Sequence, residues 1–578
     1  MKVRLLRIMK LTDEQKHIIE TEGDIKINAV AGSGKTTTIT HYAKARPSGK
    51  RILYLAFNKS VKNEATLRFE KMGMENVRVS TAHSLAYSHI VPKYGYKIGE
   101  IPRPSDLIGM LSIRGGKSYK DMLAIAYHTL SLASYFCNSS AQKVRDLNYL
   151  AHIGHDEQYT FVEQHYDKII SYARAYLAKM DAGEIDITHD FYLKKFQLEA
   201  PSLPYEYILF DEGQDASAAM LDVFLKQRGT KVIVGDSHQQ IYSWRYAVNS
   251  MELAQFPTLH LTQSFRFPQK IADIAISALK YKNLIDRHSP VTIQGRGKGK
   301  GTGVAATIAR TNLMLLISAI ENVIEKRLHK NIYFEGGMHS YLRNEEGGSI
   351  YDVYNLYNED KSRIKDELIK GMKDIDELEE YAKLTGDYLL TSLVDVVKKY
   401  RDDLPGYLKS LRGKCLPDEN RHKADMIYTT VHKSKGLEYP KVSLVRDFIN
   451  EKKIKSQLEE AELEKTPPDF DAINEEINIL YVGITRAMNE IVIPREIHPD
   501  FQGADAKPMP PEPSERKQQQ RQSQKNPALP HRGQPWDEEE EYRMIELFED
   551  DHEIEAIARI LGRTPTAIRM RLEKRGLL

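Results

Sequence analysis

Residues 25–38 read Ile25-Lys-Ile-Asn-Ala-Val-Ala-Gly32-Ser-Gly34-Lys35-Thr36-Thr37-Thr38, and the fold follows from them. Ile25–Asn28 has the composition of a strand. The chain then passes into AVAGSGKTTT, Ala29 to Thr38. Gly32 and Gly34 permit a tight turn in which successive N–H groups face one anion. Lys35 stands where an ammonium reaches the β/γ-phosphates, and Thr36 offers a hydroxyl to Mg²⁺. The helix expected to begin there adds the positive end of its dipole. The nucleotide cradle is therefore expected over Ala29, Val30, Ala31, Gly32, Ser33, Gly34, Lys35, Thr36 and Thr37, with Ala29 replacing the first glycine of the usual pattern.

A second segment answers the first. Tyr207–Phe210 is a buried-strand run that ends in Asp211-Glu212. Carboxylates at the C-terminal end of a parallel strand sit where ligands bind in such sheets. Asp211 is expected to hold Mg²⁺, usually through water, and Glu212 to orient the attacking water. Order matters here: phosphate loop first, acidic strand end later.

Composition narrows the setting. The 578 residues carry 83 Lys plus Arg against 81 Asp plus Glu, a net charge of +2, which excludes a histone-like basic coat. With 41% hydrophobic residues, several domains can bury cores. Two cysteines, Cys137 and Cys415, support neither a disulfide framework nor a zinc site, so a reducing compartment is expected. No run approaches a membrane span, and Arg7 and Lys10 interrupt any secretory apolar stretch. The expected setting is cytoplasmic or nuclear, not membrane-bound or secreted.

Strand-like runs at Ile25–Val30, Ile52–Phe57, Tyr207–Phe210, Val232–Val234, Ala305–Ala309 and Met426–Thr430 alternate with helical stretches, which argues for α/β architecture with parallel sheets. Two stretches without strand signals, about 86–200 and 336–424, read as helical insertions. From Pro499 to Pro535 lie eight of the 24 prolines and the run ERKQQQRQSQK, a composition that cannot bury a core and reads as a linker.

Beyond that linker, Trp536, Ile545, Leu547, Phe548, Ile554, Ile557, Ala558, Leu561, Ile568 and Leu572 recur at helical spacing. Three short helices are expected, the last basic through Arg569, Arg571, Lys574 and Arg575, with Arg563 just before it. The module resembles Myb/SANT-like or helix-turn-helix DNA-binding domains. Arg569 and Arg571 are its candidate DNA contacts, and docking to a protein partner is the alternative.

The remaining motifs, in order, resemble the UvrD/Rep-like superfamily 1 DNA helicases. They are LTDEQ (Leu11–Gln15), AFNKS (Ala56–Ser60), STAHSLA (Ser80–Ala86), DEGQD (Asp211–Asp215), GDSHQQIYSWRYA (Gly235–Ala247), LTQSFRF (Leu261–Phe267), TVHKSKGLEY (Thr430–Tyr439) and YVGITRA (Tyr481–Ala487). THD at Thr188–Asp190 and YLK at Tyr192–Lys194 bring the chain nearest the F-box DNA helicase branch. The first motif begins almost at once, with no F-box-like segment before it, so a ubiquitin-ligase role is not expected.

The resemblance implies two RecA-like lobes with mostly helical insertions. The expected segments are 1–87 and 201–273 (first lobe), 88–200 (its insertion), 274–335 and 425–497 (second lobe), 336–424 (a reduced insertion), 498–535 (linker) and 536–578 (a small all-α module). It implies ATP and Mg²⁺ as cofactors. Gln15 would read adenine, Phe265 would stack on it, and Glu438 would contact the ribose. Gln239 would sense the γ-phosphate, with Arg266 and Arg486 reaching it from opposite lobes. Phe57, His83, Tyr242, Trp244, Thr430 and His432 would touch the DNA strand. The implied partners are single-stranded DNA and single/double-strand junctions, and the implied direction is 3′→5′. A translocase that strips bound proteins, an RNA motor and a degenerate DNA-anchoring adaptor remain open. The intact Lys35, Asp211, Glu212 and Arg486 argue against the last.

Overall fold

The computed structural model describes residues 11–499 except 117, 155, 244–245, 247, 288–290, 344–347 and 465–466. Beyond 500 it describes 543–545, 547–548, 554–561, 563, 568–569 and 571–572. Trp244, Trp536, Lys574 and Arg575, and the expected linker, lie outside the described residues.

The first sheet has six parallel strands: β1 (Ile25–Ala29), β2 (Ile52–Ala56), β3 (Val77–Thr81), β4 (Tyr207–Phe210), β5 (Thr230–Gly235) and β6 (Thr258–Leu261), in the order β3-β2-β4-β5-β1-β6. All five residues of β2 are buried, as expected of a parallel strand covered on both faces. A two-strand ribbon, β7 (Gln263–Ser264) with β8 (Gln294–Gly295), follows. The second sheet has five parallel strands: β9 (Ala306–Ala309), β10 (Ile332–Phe334), β11 (Met426–Thr430), β12 (Tyr439–Leu444) and β13 (Ala487–Val492), ordered β10-β11-β9-β12-β13. β5 lies between β1 and β4, so the phosphate loop, the Asp211-Glu212 pair and Asp236 all emerge at one carboxyl edge.

The expected helical stretches are helical. The first contains Pro104–Leu111, Tyr119–Asn138, Asp156–Asp181 and His189–Glu199; the second contains Ile350–Tyr357, Ile375–Thr385, Tyr388–Tyr400 and Leu404–Lys414. Caps mark their starts. Ser118 accepts from Asp121 N, Thr188 from Phe191 N and Ser349 from Asp352 N. Apolar side chains of both stretches share one continuous core, including Leu123, Val162, Leu378 and Leu390. No helix among the described residues is long and apolar enough to cross a membrane.

His128 joins the two stretches. Fully buried, its Nε2–H donates to the Leu384 carbonyl (2.8 Å), and its Nδ1 lies 2.9 Å from the Tyr149 hydroxyl, which donates to it. Burial pushes the imidazole down from 6.5 to about 4. Between those values the unfolded chain binds the proton more readily than the folded one, so stability falls as pH drops from 6.5 to 4. This group is expected to remove about 3 kcal/mol over that window. Urea unfolding at pH 7 and pH 4.5 checks it, with His128→Gln flattening part of the slope.

The unit from Gln502 to Leu578 is separate. Its helix Ile554–Ile560 and residues Met544, Ile557, Ala558, Leu561, Ile568 and Leu572 form a small buried cluster, with Ile545, Leu547, Phe548 and Ile554 against it. Trp536 aside, which lies outside the described residues, these are the apolar positions picked out by helical spacing, with Met544 added. Arg569 is exposed and Arg571 half-buried.

Candidate nucleotide and nucleic-acid site

The phosphate loop folds as its glycines require. Gly32 and Gly34 hold φ of +74° and +83°. A Cβ on Gly32 would stand 2.6 Å from Arg266 Cβ, because the β7 segment crosses the loop and Phe265 N donates to Gly32 O at 2.9 Å. Gly34 caps the helix Lys35–Lys44. Ser33 Oγ is buried without a hydrogen-bond partner, an orphaned polar atom in the loop.

Gln15 is buried beside the loop. Its Nε2 donates to Thr38 Oγ1 (3.2 Å) and its Oε1 accepts from Thr12 N (3.0 Å). Phe265 is 48% exposed, the state expected of a ring that awaits a planar partner.

Lys35 Nζ lies 2.8 Å from Glu212 Oε2. Burial opposes the ammonium, but Glu212 and Asp236 outweigh it and raise Lys35 above its ordinary value. Thr36 Oγ1 is 3.4 Å from Asp211 Oδ2, which also accepts from the Tyr54 hydroxyl. Burial and the neighbouring Glu212 charge push Asp211 up, while Lys35 holds Glu212 down against its own burial. Environment thus splits two adjacent carboxylates, the pattern by which sites separate acid, base and ligand roles. Glu212 has φ of +53°, a conformation that costs a non-glycine residue about 1–3 kcal/mol.

The second lobe closes the other side. Arg266 binds Glu438 through Nε (2.8 Å) and Nη2 (2.7 Å), and Nη1 donates to Thr485 O (3.0 Å). Arg486 is 1% exposed and makes no ion pair with a described carboxylate. Its guanidinium donates to the carbonyls of Val482 (3.1 Å) and Leu437 (3.3 Å). Burial, then the Arg266 charge, pushes it down to about 9. Glu438 and Glu212 attract the guanidinium but do not offset these costs, so a further anion beside it would be stabilised.

Two links join this cleft to the aromatic track. Ala31 N donates to Tyr481 Oη (3.4 Å), and Tyr481 donates to Asp236 Oδ2 (3.1 Å), which also accepts from Gln239 Nε2 (2.7 Å). Lys435 donates to both oxygens of Asp215 (2.6 and 2.7 Å) and to Gln239 O (2.7 Å), with its ammonium 4.6 Å from the Tyr242 ring centre. Tyr242 lies 6.1 Å from Phe57, the rings nearly parallel at 17°, and 6.0 Å from His432. His432 Nε2 donates to Ile241 O (3.1 Å). Thr430 is buried at the end of β11.

His83 stands apart, against Asp190 (3.5 Å) and the edge of Tyr192. Arg569 and Arg571 belong to the separate C-terminal unit. The motif reading left Lys435, Asp215 and Tyr481 without roles. All three lie inside the quoted motifs, but only the folded chain pairs them.

The Lys435–Asp215 pair carries its own test. Its side chains are 12% and 1% exposed. Lys435→Met orphans a buried carboxylate and is expected to cost about 3–5 kcal/mol in urea unfolding, whereas adding Asp215→Leu recovers most of it.

Two parallel-sheet lobes with a P-loop on one and a buried arginine on the other, meeting at one cleft, define a class: P-loop proteins of the two-lobed, RecA-like kind. Residues 11–256 match the UvrD/REP helicase N-terminal domain and residues 316–495 the UvrD-like helicase C-terminal domain, and the chain belongs to this helicase family. It is 29% identical to F-box DNA helicase 1 of Gallus gallus over 519 residues, 83% of this chain and 48% of that one. It is 27% identical to F-box DNA helicase protein 1 of Schizosaccharomyces pombe over 540 residues, 84% and 57% of the two chains. It is 26% identical to the ATP-dependent DNA helicase PcrA of Leuconostoc citreum over 309 residues, 47% and 39% of the two chains. The chain spans about half the length of the F-box relatives it matches.

Proposed function

We propose that the protein is an ATP-dependent DNA helicase that moves 3′→5′ on single-stranded DNA and acts in replication, repair or recombination, in the cytoplasm or nucleus. One observation carries the reading: Glu212 acts on both Lys35 and Arg486, groups far apart in the chain, while Lys435, held by Asp215 and Gln239 O, stands over Tyr242 of the Phe57–Tyr242 ring pair.

The residues fit the nucleotide and its metal. Thr36 and Asp211 supply one hydroxyl and one carboxylate, a donor set suited to Mg²⁺, which keeps most of its waters. Bound Mg²⁺ neutralises phosphate charge. Lys35 exchanges Glu212 for phosphate oxygens, which frees Glu212 to orient water. Arg486 and Arg266 complete the positive shell when the lobes close. Closure repositions Gln239 and Lys435, and through Lys435 the ring pair that grips bases; stacking is worth about 1–3 kcal/mol per base and tolerates any sequence. The nucleotide drives movement only through its unequal affinity for open and closed lobes.

Strand displacement on blunt, 3′-tailed and 5′-tailed duplexes tests this. Unwinding of the 3′-tailed duplex alone supports it, and preference for the 5′ tail overturns the direction. The shortness of the second insertion, whose longest helix is the 13-residue Tyr388–Tyr400, favours a second reading, removal of bound proteins from single strands. Streptavidin displacement from a biotinylated strand without unwinding identifies that activity. The C-terminal unit, with exposed Arg569, is proposed to hold duplex DNA or a protein partner near the motor.

A further inference from the structure

One buried side-chain pair joins a residue of a quoted motif, His238, to one outside all of them, Lys282. Lys282 lies in the 3₁₀ segment Lys280–Ile285, which follows the helix Gln269–Leu279. It falls between the stretches matching the two family domains, 11–256 and 316–495. Yet it is only 5% exposed and makes no ion pair with a described carboxylate. Among the described residues its Nζ has one hydrogen-bond partner, His238 Nδ1, at 3.0 Å.

A buried ammonium without a carboxylate is costly, so its one acceptor fixes its geometry. The bond also fixes the imidazole: Nδ1 accepts, and the ring proton sits on Nε2. His238 occupies a central place. Its backbone N donates to Asp236 Oδ1 (3.0 Å), and its ring packs on the edge of Tyr481, 5.9 Å between centres. Asp236 and Tyr481 are the groups that connect Gln239 to the phosphate loop at Ala31.

We propose that Lys282 is a positioning residue for ATP turnover, which acts through its hydrogen bond to His238 to hold the Asp236–Gln239 turn against Tyr481 and the phosphate loop. The inference rests on the ATP-driven reading above. The bond joins a turn that follows β5 to a segment that follows the helix Gln269–Leu279. The groups facing the ammonium are Glu252, Asp236 and Arg287, besides His238; burial pulls it down to about 8.

The test uses the full chain with saturating oligo-dT and varied ATP. Lys282→Met is expected to lower kcat/KM for ATP about tenfold or more, mainly through kcat, with the melting midpoint within a few degrees of wild type. His238→Gln keeps an acceptor and is expected to stay within about threefold of wild type, whereas His238→Leu strands the lysine and matches Lys282→Met. The double variant Lys282→Met/His238→Leu should be no worse than either single one, since both break the same bond. Wild-type kcat/KM in Lys282→Met, or multiplying losses in the double variant, overturns the inference. If Lys282→Met does not fold, equal activity of the Gln and Leu variants at position 238 overturns it. A wild-type chain without ATP turnover removes the functional reading and the inference together; an active wild type with an unaffected Lys282→Met removes the inference alone.

Discussion

Arg486→Ala is expected to lower single-strand-stimulated ATP turnover by about 10³-fold or more, the range typical of an arginine supplied across a cleft. The same substitution is expected to leave the unliganded protein as stable as wild type, or more stable. Arg486 is buried beside Arg266, and its desolvation and that repulsion outweigh the attraction of Glu438 and Glu212. Activity and stability should therefore move apart. Arg486→Lys keeps a charge but loses the planar fork, and it should recover little of the turnover. Steady-state turnover and a thermal melt on the same preparation check both halves. A melting midpoint that falls as steeply as the activity would mean that Arg486 is a structural arginine.

Lys35→Ala should abolish turnover as well, with a loss of about 10²–10³-fold or more from removing a donor aimed at developing phosphate charge. Its stability signature is opposite. Lys35 neutralises Glu212, whose carboxylate otherwise keeps, among the described residues, the Gln214 Nε2 donor (2.7 Å) and the more distant charge of Lys435. Removing the lysine leaves a partly buried carboxylate without its main counter-charge, so the variant should melt below wild type, by more as rising pH ionises Glu212. Turnover measured beside the pH dependence of the melt separates this outcome from simple misfolding. Retained turnover in Lys35→Ala would displace the nucleotide from the Ala29–Thr37 loop.

How far these residues could be read without a fold depends on how local their chemistry is. The Gly32-Ser-Gly34-Lys35 turn and the Asp211-Glu212 strand end carry their function within a few positions, and the structure brings them together at one sheet edge. The central strands were legible for a similar reason: β2 is apolar at every position. The edge strand β3 was not, because its sequence VRVST buries only Ser80 well and has little apolar run. Contacts between the lobes were the least legible. Lys435 and Asp215 are 220 positions apart, Tyr481 and Ala31 450 apart, and nothing in either local sequence names its partner. His238 and Lys282 are separated by 44 positions, but a lysine in a helix-following turn normally reads as solvated. Gln15 shows the converse: its motif is local, and so are the capping bonds with Thr12 that hold it.

The most direct measurement is the ATP turnover of the wild-type chain with no nucleic acid, with oligo-dT and with oligo-U of equal length. Coupling between the nucleotide site and the Phe57–Tyr242 track predicts low basal turnover and stimulation of about tenfold or more by a single strand, and the DNA reading predicts that oligo-dT is the better activator. Turnover indifferent to either strand would contradict that coupling.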